Sequence, residues 1–206
     1  MKKILLSLLI LAVIKSSGQN NHPAFDAKTW KPPYQLPVPQ GWEAERFPVP
    51  PAFATQIRLT GVEDVRFTPG WANAKTDEYW TYAFLWFLDG SPTLNAVTFR
   101  SDLKAYYSGL IKTNIDPKKI PSGGIMHTEA VIKKMHRMSG DRNTFSGTVS
   151  MLDYMQQKPI ILNCIIHVRR YPAMDKTIVF CELSPKDTSN KVWTGLNKLW
   201  SDFVYE

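Results

Sequence analysis

The sequence predicts an α+β domain, an antiparallel β-sheet of about five to seven strands packed by a central and a C-terminal amphipathic helix. Three observations predict it. From Glu129 to Leu183, four runs of alternating apolar and polar residues are divided by turn-forming residues, the pattern of an antiparallel meander. Phe99, Leu103, Tyr106, Tyr107 and Leu110 recur at spacings of three and four, as do Val192, Trp193, Leu196, Leu199, Trp200 and Phe203. The 206 residues are 44% hydrophobic and 21% charged, which fits a globular domain and excludes collagen-like and disordered classes.

The elements follow in chain order. Lys2 and Lys3 precede an apolar run from Ile4 to Ile14, and Ser16, Ser17 and Gly18 follow. That order reads as a signal peptide, residues 1–18, cleaved near Gly18, and the apolar run is well short of the ~20 residues a spanning helix needs. The expected location is periplasmic or secreted. Removing Lys2, Lys3 and Lys15 lowers the 25 basic residues to 22 against 18 acidic ones, so the net charge falls from +7 to +4. Residues 19–41 form a proline-rich extended segment, because proline lacks the amide donor and restrains the residue before it. A single domain is expected over 42–206, opening with an edge strand at Trp42–Phe47. Val62–Phe67 is a short strand ended by Thr68-Pro69-Gly70. Tyr79–Leu88 is apolar on both faces and reads as a central strand covered on both sides. A helix is expected over Thr98–Ile111, then strands over Glu129–Met138, Thr144–Tyr154, Pro159–Arg170 and Thr177–Leu183. The chain closes with the Trp193/Trp200 helix, capped by Ser184-Pro185 or by Ser189.

Pro39-Gln40-Gly41-Trp42 near the start of the fold and Trp193 and Trp200 on the last helix, in this order of elements, resemble the PsbP fold, named for an extrinsic photosystem protein. The resemblance is one of topology and implies helices on an antiparallel sheet. A cystatin-like or other helix-on-sheet fold is the alternative.

Chemistry-bearing motifs are sparse. His22, His127, His136 and His167 show no metal-ligand spacing, and neither a phosphate loop nor a nucleophile elbow is present, so no metal or cofactor is expected. A mature charge of +4 offers little footprint for nucleic acid. Cys164 and Cys181 lie on the apolar faces of neighbouring strands. A turn centred on Pro172-Ala173 would set them opposite each other, so either a disulfide or two buried thiols fits the sequence. The ligand-binding candidates are Glu63, Asp64, Arg66, Trp71, His136, His167 and Arg169. Asp64 and Arg66 share one strand face and Glu63 points to the other. Lys134 and His136 share a face, as do His167 and Arg169, and if these strands neighbour one another they form a basic patch suited to an acidic glycan or an anionic membrane surface. The chain therefore reads as a secreted or periplasmic, non-enzymatic binding or accessory domain whose ligand or protein partner the sequence does not name. The alternative is a small hydrolase using Glu63, Asp64 or His127 in a cleft.

Overall fold

The computed structural model describes residues 25–116, 118 and 127–205. The expected signal peptide lies outside them. No helix among the described residues is long and apolar enough to cross a membrane.

The elements are β1 (Tyr34–Gln35), β2 (Glu43–Val49), β3 (Gly61–Phe67), β4 (Tyr82–Asp89), α1 (Ala96–Asn114), β5 (Glu129–Lys134), β6 (Asn143–Asp153), β7 (Lys158–Tyr171), β8 (Lys176–Ser184), α2 (Val192–Ser201) and β9 (Val204–Tyr205). Seven strands form one antiparallel sheet in the order β2-β3-β4-β8-β7-β6-β5, and β1 pairs with β9 separately. The fold is α+β, as the sequence predicts.

Alternation along β4 divides the interior into two cores. Tyr82, Phe84, Trp86 and Leu88 pack with Leu103, Tyr106 and Tyr107 of α1. Ala83, Leu85 and Phe87 face the other way, onto Trp193, Leu196, Leu199 and Trp200 of α2. Both faces of the strand are therefore dry, and fully burying each large side chain contributes about 1.5–3 kcal/mol.

α1 begins two residues earlier than the periodicity predicts, because Asn95 builds a capping box. Its Oδ1 accepts from the amides of Val97 (2.8 Å) and Thr98 (3.1 Å), and the Asn95 amide donates to Thr98 Oγ1. α2 has no serine cap. Its first amide, Val192, donates to Asn190 Oδ1 at 3.1 Å, while Ser189 is spent on Asp187 and Ser184 on Thr81. β5 stops at Lys134 instead of Met138, because the chain then swings away into the turn that delivers Asp141.

The described segment ahead of β2 opens with a turn in which the Trp30 amide donates to Asp26 O at 2.9 Å, and it is bound to the body from Trp30 onward. Tyr34 and Leu36 are buried in the second core. Arg66 fastens the strap, donating through Nε to Pro37 O and through Nη2 to Leu36 O, each at 2.9 Å.

The cysteine pairing set out above is corrected. Pro172–Met174 forms a 3-10 turn followed by Asp175 in the left-handed region (φ 48°), which places Tyr171 opposite Lys176. The register slips by two residues, so Cys164 faces Leu183 and Cys181 faces Ile166. An even slip keeps both side chains on the apolar face but makes them diagonal neighbours, about 7–8 Å apart and too far for a ready bridge. Both are free, buried thiols. Burial pushes the Cys164 thiol up to about 12 and holds Cys181 above its ordinary range as well. Iodoacetamide should therefore label neither cysteine in the folded protein and both after denaturation without reductant. Labelling that needs a reductant would restore the disulfide.

Candidate anion-binding groove

The second core carries a polar cluster beneath the surface at the end of the β6–β7–β8 meander. β7 alternation points His167 toward α2, and the turn before β6 brings Asp141 to it. His167 Nδ1 lies 2.7 Å from Asp141 Oδ2, and Nε2 lies 3.4 Å from Glu182 Oε1 of β8. All three side chains are buried. Asp141 also accepts from Thr144 Oγ1 (2.7 Å) and from the Trp200 indole N–H (3.1 Å). Glu182 has no hydrogen bond of good geometry to either oxygen among the described residues.

Desolvation alone would lower the pKa of His167, but the hydrogen bonds and charges of Asp141 and Glu182 outweigh it and leave the imidazole easier to protonate. Burial raises Glu182, and His167 only partly offsets that. Both shifts favour the protonated forms of His167 and Glu182, while Asp141 accepts from Thr144 and Trp200.

Arg169, two residues along β7 on the same face, carries this cluster to the surface. Its guanidinium carbon sits 3.8 Å from the centre of the Trp200 ring, and its Nε lies 3.6 Å from Asp141 Oδ1. Its terminal amino groups make no hydrogen bond among the described residues. Gly140 (φ +79°) makes room for it, since a Cβ there would stand 3.3 Å from Arg169 Nη2. The adjoining groove, about 320 Å3, is lined by Gly140, Asp141, Arg142, Arg169, Arg170, Tyr171 and Pro172. Arg142 and Arg170 are exposed and form no ion pair among the described residues. The one acid of the lining, Asp141, is already committed to His167, Thr144 and Trp200.

No family, curated protein or solved structure matches this chain. The expected PsbP likeness finds no support in these comparisons.

The other sequence candidates are distributed over the molecule. His136 is exposed beyond β5. Trp71 is half-buried and stacks on Phe67 with ring centres 4.4 Å apart. Asp64 is fully enclosed, ion-paired to Arg66 and to Arg46 and accepting from the Tyr34 hydroxyl, so this group clamps the N-terminal strap. Glu63 points into the opposite core, accepting from Trp86 Nε1 (2.9 Å) and Tyr106 Oη (2.7 Å). Burial pushes its carboxyl up to about 8, with both hydrogen bonds pulling the other way. Glu63 and Asp64 thus lie on opposite faces of the sheet, and His127 is exposed just ahead of β5. Among the described residues no three His, Cys, Asp or Glu side chains converge to hold a metal ion. Sequence reading joined His167 to Arg169 through strand parity. It missed Asp141, Glu182 and Trp200 as their partners, because a turn, another strand and a terminal helix supply them. The one local signal was the acid in Ser139-Gly140-Asp141.

Proposed function

We propose that this chain is an extracytoplasmic, non-enzymatic binding domain that seats an anionic ligand in the Arg142–Arg169–Arg170 groove. One observation carries the reading. Arg169 is held rigid on Trp200 and Asp141 with its hydrogen-bonding fork free, so binding an oxyanion costs it little side-chain entropy. Arg142 and Arg170 add long-range attraction, while Tyr171 and Pro172 supply an apolar wall. An acidic glycan suits this combination of charge and flat apolar surface. The Lys2-Lys3 start and the apolar run behind it support export, and N-terminal sequencing of the native protein should begin near Gln19.

Titration with oligogalacturonate tests the groove. Binding should weaken with added salt, and Arg169→Met should reduce affinity at least about tenfold, the range expected for a charge-assisted bidentate contact. Methionine keeps an apolar cover on Trp200, so the melting temperature should change little. Arg142→Ala should have a smaller effect that vanishes at high salt. Equal binding by parent and Arg169→Met would remove the groove from the reading. Recovery of an intact Met1 from the cytosol would remove the location.

A further inference from the structure

The β5 side of the sheet ends in a strand with a self-complementary charge pattern. No described residue hydrogen-bonds to the outer side of Glu129–Lys134. Ala130 and Ile132 turn into the α1 core, whereas Glu129, Val131 and Lys133 stand on the opposite face. Val131 is 64% exposed there, second only to Val97 among the described large hydrophobics. That face continues over Ser146, Thr148 and Ser150 of β6 to Ile161 of β7, also exposed, with no described helix above it.

We propose that β5 is the interface for a second copy of this chain, with the two β5 strands pairing antiparallel into one continuous sheet. The register follows from the residues. With Val131 on the two-fold axis, Glu129 of each copy lies opposite Lys133 of the other, twice, flanking a Val131–Val131 contact. On the other face, Ala130 lies opposite Ile132, so apolar meets apolar. A shift by one residue would bring Glu129 against Ile132 or Lys134 and break the match of faces. Lysines on an edge strand ordinarily discourage pairing. Here the same lysine that repels other strands meets a glutamate when the partner is its own copy. Glu129 is engaged with Lys104 at 2.7 Å, but both are exposed, and such a surface pair leaves the carboxylate able to bridge a second cation. The interface is small, so the dimer is weak and reversible.

Sedimentation equilibrium on the full chain tests this, independently of any ligand. The parent should pass from monomer to dimer as concentration rises to high micromolar. E129K leaves only lysines along that row and K133E only glutamates, so each alone should dimerise at least about tenfold more weakly. An equimolar mixture of the two should recover the dimer, because each row then meets its opposite. The double variant E129K/K133E should also recover it, and K104A should leave it unchanged. Far-ultraviolet circular dichroism and melting of each variant confirm the fold. A parent that stays monomeric over the range overturns the proposal, and so does a mixture that associates no better than the single variants. Unaltered dimerisation by both single variants would place the contact elsewhere and equally overturn it.

Discussion

Trp200→Ala should unfold a large fraction of the protein or abolish soluble expression. The Trp200 indole lies parallel to Phe180, with centres 5.1 Å apart and planes at 9°, and stacks on Phe203 at 5.3 Å. It is 5% exposed. Removing it from a core costs about 3–5 kcal/mol through lost burial and the cavity left behind. It also deprives Asp141 of the indole donor and Arg169 of its aromatic support, and a buried carboxylate short of one donor costs about 1–3 kcal/mol more. A domain's total stability is about 5–15 kcal/mol. Urea unfolding measures the loss, and Trp200→Phe separates the two contributions, since phenylalanine keeps the stack and lacks the N–H. Trp200→Ala with a parental midpoint would show that α2 is not part of the core.

Glu63 gives the second large effect, visible as a dependence on pH. Its folded pKa, about 8, lies above the ordinary carboxylate value, so in the window between them the native protein keeps a proton that the unfolded chain releases. The unfolded state then binds fewer protons, and stability falls as pH rises. It is highest below the ordinary carboxylate pKa, and the loss is complete once pH has passed about 8. The slope for one such group is about 1.4 kcal/mol per pH unit. Glu63→Gln keeps both hydrogen bonds, with its oxygen accepting from Trp86 and its amide donating to Tyr106. That variant should lose about one proton's worth of slope relative to the parent and be the more stable protein at pH 8.5. Parallel stability curves for the two proteins between pH 5 and 8 would show that Glu63 is ionised in the native state. His167 and Glu182 slope in the same direction, so the comparison between variant and parent is what isolates Glu63.

Strand parity was legible from the sequence almost everywhere, because a period of two survives errors in turn length. The β7–β8 hairpin shows both sides of this. The apolar faces holding Cys164 and Cys181 follow from alternation, yet their register depends on Asp175 adopting a left-handed backbone after Pro172, a local preference that alternation does not encode. Glu63 and Asp64 were separable onto two faces for the same reason. That both would be fully buried was not, since burial depends on which helix covers each face. The His167 cluster needs Asp141, Glu182 and Trp200 at once, and one-dimensional spacing carries no signal for a meeting of three separate elements. β9 is only two residues long, below the length at which alternation can be read.

The β1–β9 clip fixes when the molecule can be completed. Tyr34, part of the second core, pairs with Tyr205, almost the whole chain away. Closing so long a loop comes late in folding, because its entropy must be spent before the contact returns anything. Until then Tyr34, Leu36 and Phe87 wait for β9 to arrive. A folding chain caught before that closure therefore presents the first core with α1 assembled and the opposite sheet face bare, and unpairing of β9 from β1 would reopen that face where it closed last.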